Sequence, residues 1–218
     1  MTALAKPRNV AIRRAALAGL ALVLALGAGP EAAAETATAC ETTRVIGQAS
    51  VVRDGQSLAL SPQVLLYAKD QIVTGAGAKV EIRCEDGSTI VVGDKSRVAL
   101  STFVTPPAQR GWSGVLTVIE GILRVTLPGT RRWNRLETVT DTAVASARST
   151  AWIVDARPDT TGVLALEGRV RVVGRTAGGE VTLAPGQGTD VRPGAPPTQP
   201  VTWGLPRADA ARARTTLP

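Results

Sequence analysis

Apolar and polar residues alternate in short runs along most of the chain, and glycine-containing turns separate the runs. The clearest stretch lies between residues 71 and 100. Val80, Ile82 and Cys84 fall on one side of an extended segment, and Glu81 and Arg83 on the other, as the two-residue period of a half-buried strand demands. Asp86-Gly87 then signals a hairpin, after which Ile90 and Val92 resume the buried face. Thr42 to Leu60 reads as strand, turn and strand, with Asp54-Gly55 as the turn. Leu116 to Leu127 predicts a strand pair, and residues 138–155, 162–173 and 181–191 predict further strands, the last turning at Pro185-Gly186. Thr105 to Gly114 and Pro128 to Arg135 read as loops. Four prolines in residues 193–200 predict an extended linker. Beyond it, Arg207 to Arg214 reads as a short helical turn or a loose tail.

The composition agrees with many short strands. The chain has 25 Val, 25 Thr, 22 Gly and 14 Pro. β-Branched residues suit a pleated surface, while Gly and Pro punctuate turns. A faint repeat links Ile119-Glu120-Gly121-Ile122-Leu123-Arg124-Val125 with Leu166-Glu167-Gly168-Arg169-Val170-Arg171-Val172, and more weakly with Ile46-Gly47-Gln48-Ala49-Ser50-Val51. Each copy is a glycine corner feeding an alternating strand. Chance similarity among Val- and Gly-rich strands explains it as well as duplication does. If the repeat is real, it suits a chain that stacks strands by turning through glycine corners.

The first 34 residues have the layout of an export signal. A basic segment from Lys6 to Arg14 precedes the apolar stretch Ala15 to Gly29, and Ala32-Ala33-Ala34 offers small residues for cleavage. Fifteen residues as helix span about 22 Å, short of a bilayer core of about 30 Å, so cleavage after Ala34 is favoured over an uncleaved anchor. No membrane span is then expected in the mature chain, and the expected location is periplasmic or secreted. In an oxidising compartment Cys40 and Cys84 are expected to bridge, with two separate buried thiols as the rival.

Charge and chemistry narrow the function classes. Of the formal +7, the signal segment removes four basic and one acidic residue, leaving 21 basic against 17 acidic, a net +4. That dispersed excess gives no case for nucleic acid. The chain has no histidine, which excludes Ser-His-Asp and Cys-His catalysis and any metal site that needs imidazole. No cofactor, metal site or catalytic residue is predicted. Gly111-Trp112-Ser113-Gly114 lacks the Gly-x-Ser-x-Gly spacing of a nucleophile turn. The carboxylate pairs Glu85-Asp86 and Asp155 with Asp159 fall at turns. The candidate binding residues are Arg131, Arg132, Trp133 and Arg135, joined by Trp112, because guanidiniums and indoles hold carboxylate, phosphate or sugar groups by forked hydrogen bonds and stacking. The competing reading is a solvated loop with Trp133 folded back on a sheet. Trp203 could join an aromatic face, whereas Trp152 between Ala151 and Ile153 reads as core.

Three segments in order resemble the FecR domain, a periplasmic all-β module. They are Asp70-Gln71-Ile72-Val73-Thr74-Gly75-Ala76-Gly77-Ala78-Lys79-Val80 continuing to Asp86-Gly87-Ser88; Ala143 to Val154; and Leu166 to Val172 with Leu183-Ala184-Pro185-Gly186-Gln187-Gly188. The chain departs from the family where Thr140-Asp141-Thr142 replaces the usual Thr-Pro, and where Ser149-Thr150 stands in place of Gly-Thr. The resemblance implies an all-β fold of many short strands, as a compact β-sandwich or a short β-solenoid-like arrangement. Together with the export signal and the proline-rich stretch, it gives three expected regions: signal peptide 1–34, FecR-like domain 35–192, and Pro-rich linker with loose tail 193–218. With about 14 residues before the apolar stretch, a cytoplasmic sigma-factor-controlling segment is not expected. The expected function is a non-enzymatic exported module that binds an envelope or outer-membrane protein in signalling or assembly. A module binding envelope carbohydrate is the alternative.

Overall fold

The computed structural model describes residues 37–104, 112–129 and 133–218, all within one compact unit, Glu35–Pro218. The predicted signal segment lies outside the described residues. Seventeen strands and one helix follow in order. β1 (Ala37–Ile46), β2 (Ala49–Arg53), β3 (Gln56–Ala59), β4 (Leu65–Tyr67), β5 (Gln71–Thr74) and β6 (Lys79–Cys84) come first. Then come β7 (Thr89–Val92), β8 (Arg97–Val104), β9 (Trp112–Thr126), β10 (Trp133–Val139), β11 (Ala143–Ala147) and β12 (Ala151–Arg157). The last are β13 (Thr160–Glu167), β14 (Val170–Gly174), β15 (Glu180–Leu183), β16 (Gln187–Val191), β17 (Val201–Thr202) and α1 (Leu205–Arg214).

The strands form two facing sheets that share β9. The first runs β4-β1-β6-β7-β9-β12-β13-β16-β17. The second runs β3-β2-β5-β8-β9-β10-β11-β14-β15. Every pairing among the described residues is antiparallel except β9 with β10. The main core fills the space between the sheets. Val80, Ile82, Ile90 and Leu123 from the first sheet belong to one buried cluster with Val51, Ile72, Leu116 and Val172 from the second. Period-two alternation therefore placed Val80, Ile82 and Ile90 correctly. Trp152 is fully buried, and its indole N–H donates to Thr138 Oγ1 at 3.1 Å, which satisfies the one polar atom the ring carries.

Leu116–Leu127 is not two strands but part of one. β9 is 15 residues long, and at Gly121 (φ +90°) it leaves the second sheet and enters the first. Gly47 and Gly168 also have positive φ and also sit where the chain changes sheet. At each of these three corners the glycine faces a neighbouring corner across a gap too small for a methyl group. A Cβ would meet Ala78 at 3.0 Å from Gly47, Ser96 at 2.2 Å from Gly121, and Thr150 at 2.7 Å from Gly168. The weak repeat thus marks real corners, and their stacking gives a two-sheet sandwich the edge of a short solenoid.

Cys40 and Cys84 are directly opposite each other on β1 and β6 and form a disulfide. Asp70, the first residue of the FecR-like motif, is buried. Arg53 grips it with a fork of two 2.7 Å hydrogen bonds, and the Tyr67 amide donates to it at 2.8 Å. Arg53 also lies over the Tyr67 ring.

The loose tail expected after residue 192 is instead packed on the outer face of the first sheet. Ile122, Ile153 and Leu164 form a second buried cluster there with Trp203, Ala208 and Ala211. Trp203 lies against Gly188 and Gly162, where a Cβ would meet its ring at 2.3 and 3.1 Å. Arg207 stacks over Trp203 at 3.5 Å and forks to Asp190. Pro206 pre-sets the first turn of α1, and Arg212 and Arg214 in its last turn suit the helix dipole. A ten-residue helix is not stable alone in water, so docking holds it. Arg214 donates to Asp94 at 2.7 Å and to Asp155 at 3.4 Å, and Lys79 donates to the Ala213 and Thr216 carbonyls, each at 2.6 Å. Asp155 also accepts from Arg157, whose pKa is raised by that hydrogen bond and by the nearby carboxylate charge. No helix among the described residues is long and apolar enough to cross a membrane.

Candidate functional site

Three of the five sequence-predicted binding residues, Trp112, Trp133 and Arg135, fall at one end of the second sheet. Trp112 and Trp133, 21 positions apart in the chain, are backbone partners at the start of the parallel β9–β10 ladder, and Arg135 is opposite Ser113. Trp133 and Arg135 therefore stand in a strand rather than in the loop their sequence suggests. Arg131 and Arg132 lie outside the described residues. Trp203, just after β17, packs on the first sheet and is buried, so it contributes to no aromatic face here.

Arg135 opens onto a shallow groove of about 560 Å³ on the outer face of the second sheet. Four arginines line it, Arg135, Arg148, Arg169 and Arg171, together with Ser146, Ala147, Ser149 and Thr150. Topology explains the convergence. β10, β11 and β14 are neighbours, with Glu137 opposite Ser146 and Ser146 opposite Arg171. In the Arg169-Val170-Arg171 run, Val170 is buried and both arginines are exposed. Arg148-Ser149-Thr150 forms the corner between β11 and β12, and it packs against the Gly168 corner that leads to Arg169.

The groove's cations are not equally engaged. Arg135 pairs with Glu137 at 2.5 Å, and Arg171 pairs with Glu180. Arg148 and Arg169 make no ion pair with any described residue. Thr150 is 6% exposed, and its hydroxyl has no hydrogen-bond partner among the described residues. The arrangement offers two uncommitted guanidiniums and an unpaired hydroxyl, with two more guanidiniums held by carboxylates at its margins. Such a set can grip an anion through forked hydrogen bonds. Sequence reasoning found Arg135 but missed Arg148, Arg169, Arg171 and Thr150. The signal for two of them was present, since arginines two apart in a strand share one face.

Two of the four carboxylates considered for chemistry, Asp86 and Asp155, have structural partners. Asp86 accepts from the Ser88 amide and hydroxyl in its turn, and Asp155 takes Arg157 and Arg214.

A two-sheet, all-β module with an arginine-lined outer groove is the class of protein these features define. Residues 70–171, from the buried Asp70 to the groove residue Arg171, match the model of the FecR protein family. A FecR domain is thus matched over residues 70–171 of the chain. Two crystal structures described as a candidate anti-sigma factor from Parabacteroides distasonis ATCC 8503 share the fold. The 1.65 Å structure aligns with a TM-score of 0.51 at 13% identity, covering 64% of this chain and 63% of that one. The 2.50 Å structure aligns with a TM-score of 0.52 at 14% identity, covering 64% and 62%. The chain thus spans less than two thirds of the length of these structural neighbours. No curated protein matches the sequence significantly.

Proposed function

We propose that this protein is a non-enzymatic, exported FecR-domain module that binds a protein partner in envelope signalling. The FecR match over residues 70–171, which covers β5 through β13 and reaches into β14, carries the reading. The fold shared with the P. distasonis protein supports it, because that protein is described in terms of sigma-factor regulation. The partner face is assigned to the end of the second sheet where the Trp112 and Trp133 backbones pair and Arg135 follows, with Arg131 and Arg132 next to them in sequence. Tryptophan and arginine are the residue types that dominate interaction hot spots.

The test is site-specific photo-crosslinking in the native cell. A crosslinker at position 135 should capture one envelope protein, and a crosslinker at position 58, on the edge strand β3, should not. Deleting the gene should change the transcript levels of a defined gene set. Equal capture at both positions, together with an unchanged transcript profile, would refute the reading.

A further inference from the structure

We infer that the groove on the second sheet is a binding site for a phosphate-type oxyanion. The inference is independent of the partner reading, since a small anion can bind whether or not a protein docks nearby. It rests on the four converging arginines and, separately, on the unpaired Thr150 hydroxyl beneath them.

Like charges do not gather without a cause. Four guanidiniums lining a groove of about 560 Å³ repel one another, and two carboxylates, Glu137 and Glu180, neutralise only the outer pair. Arg148 and Arg169 are left with their charge uncompensated, at the two corners that meet where Gly168 packs against Ser149 and Thr150. The Thr150 hydroxyl is a second anomaly. A buried hydroxyl without a partner costs about 1–3 kcal/mol, and valine would fill the same space without that cost. A bound anion resolves both features, because it neutralises the inner guanidiniums and gives the hydroxyl an acceptor after a small side-chain shift.

The donor set favours phosphate over carboxylate. Each guanidinium offers five N–H donors, and Ser149 and Thr150 each add one O–H. A carboxylate presents two oxygens in a plane, which a single arginine fork is enough to occupy. A phosphate group presents three or four oxygens in a tetrahedral array, enough to engage two forks and two hydroxyls together. The groove is shallow and open to solvent on one side, so the group can be carried by a larger molecule. A soluble phosphorylated compound and a membrane-lipid headgroup offer the same chemistry.

Pyrophosphate titrated into the full chain at low salt, followed by calorimetry, tests the site. One equivalent should bind. R148A/R169A should weaken binding at least tenfold, and R148K/R169K, which keeps charge but loses the fork, should fall in between. T150V should weaken binding several-fold while leaving the melting temperature equal or higher, a combination that a purely structural threonine does not give. T150S should bind as the unsubstituted chain does. R83A/R192A, which removes two exposed arginines elsewhere, should change nothing. Binding lost equally in R83A/R192A, or no binding at all, overturns the proposal. So does poly-glutamate binding that is tighter than pyrophosphate and indifferent to T150V. Co-sedimentation with phosphatidylglycerol vesicles, competed by pyrophosphate, would assign the source to lipid. Pyrophosphate binding without vesicle binding would assign it to a soluble compound.

Discussion

Gly121 and Ser96 are interlocked. The Ile122 amide donates to the Ser96 hydroxyl at 2.8 Å, and a Cβ on Gly121 would lie 2.2 Å from that oxygen and 2.6 Å from the Lys95 carbonyl. The glycine also has φ +90°, a conformation that side chains resist. Gly121→Ala therefore combines backbone strain with overpacking. It is expected to cost about 2–5 kcal/mol, read as a lower urea midpoint. Gly55, whose Cβ would meet nothing within 4 Å, is the control, and Gly55→Ala should cost about 1 kcal/mol, the positive-φ strain alone.

Arg53 compensates a carboxylate that is almost completely removed from water. Removing it leaves Asp70 with its Tyr67 amide bond and no opposing charge. Arg53→Ala should destabilise by about 2–3 kcal/mol, below the range for a fully buried pair because Arg53 itself is partly exposed. Arg53→Lys should recover only part of this, since lysine cannot fork. Thermal denaturation of the two variants separates charge from geometry.

Trp203 anchors the C-terminal segment through its contacts with Gly188 and Gly162. Trp203→Ala should free residues 203–218 while leaving the inter-sheet core intact. Limited trypsin digestion should then cut at Arg207, Arg212 and Arg214 within minutes, and the rest of the chain should stay resistant. The Arg214–Asp94 contact adds less, because Arg214 is a third exposed. Asp94→Asn should lower stability by about 1 kcal/mol or less.

The Cys40–Cys84 bridge spans 44 positions in sequence. Replacing both cysteines with serine should cost about 2–4 kcal/mol. The midpoint of the unsubstituted chain should move by a similar amount under reducing agent, and the double variant should ignore the reductant. A shift in the double variant would count against the bridge as the cause.

Elements governed by side-chain alternation were legible in the sequence. Val80, Ile82, Cys84, Ile90 and Val92 fell on the predicted face, and the hairpin turns at Asp54-Gly55 and Asp86-Gly87 formed where they were expected. Features set by distant pairing were not. Nothing local distinguishes a strand that bends at Gly121 and continues from two strands that stop there. The bend depends on Ser96, which is 25 positions away. α1 was legible only as one of two alternatives, a short helical turn or a loose tail, because Ala208 and Ala211 make its buried face, and alanine gives too little apolar contrast to mark a core-facing helix. The groove was found only in part, since Arg135, Arg148 and Arg169 come from three separated segments that only the sheet order unites.

β9 bears on how the molecule assembles. Its first half completes the second sheet between β8 and β10, and its second half completes the first sheet between β7 and β12. Neither layer has an uninterrupted row of strands until this one segment is in place. Pairings such as β1 with β6 and β9 with β12 join distant stretches of chain, and non-local pairing slows folding. β9 is thus a shared keystone: taking it out would split both layers at once, at the same place in the chain.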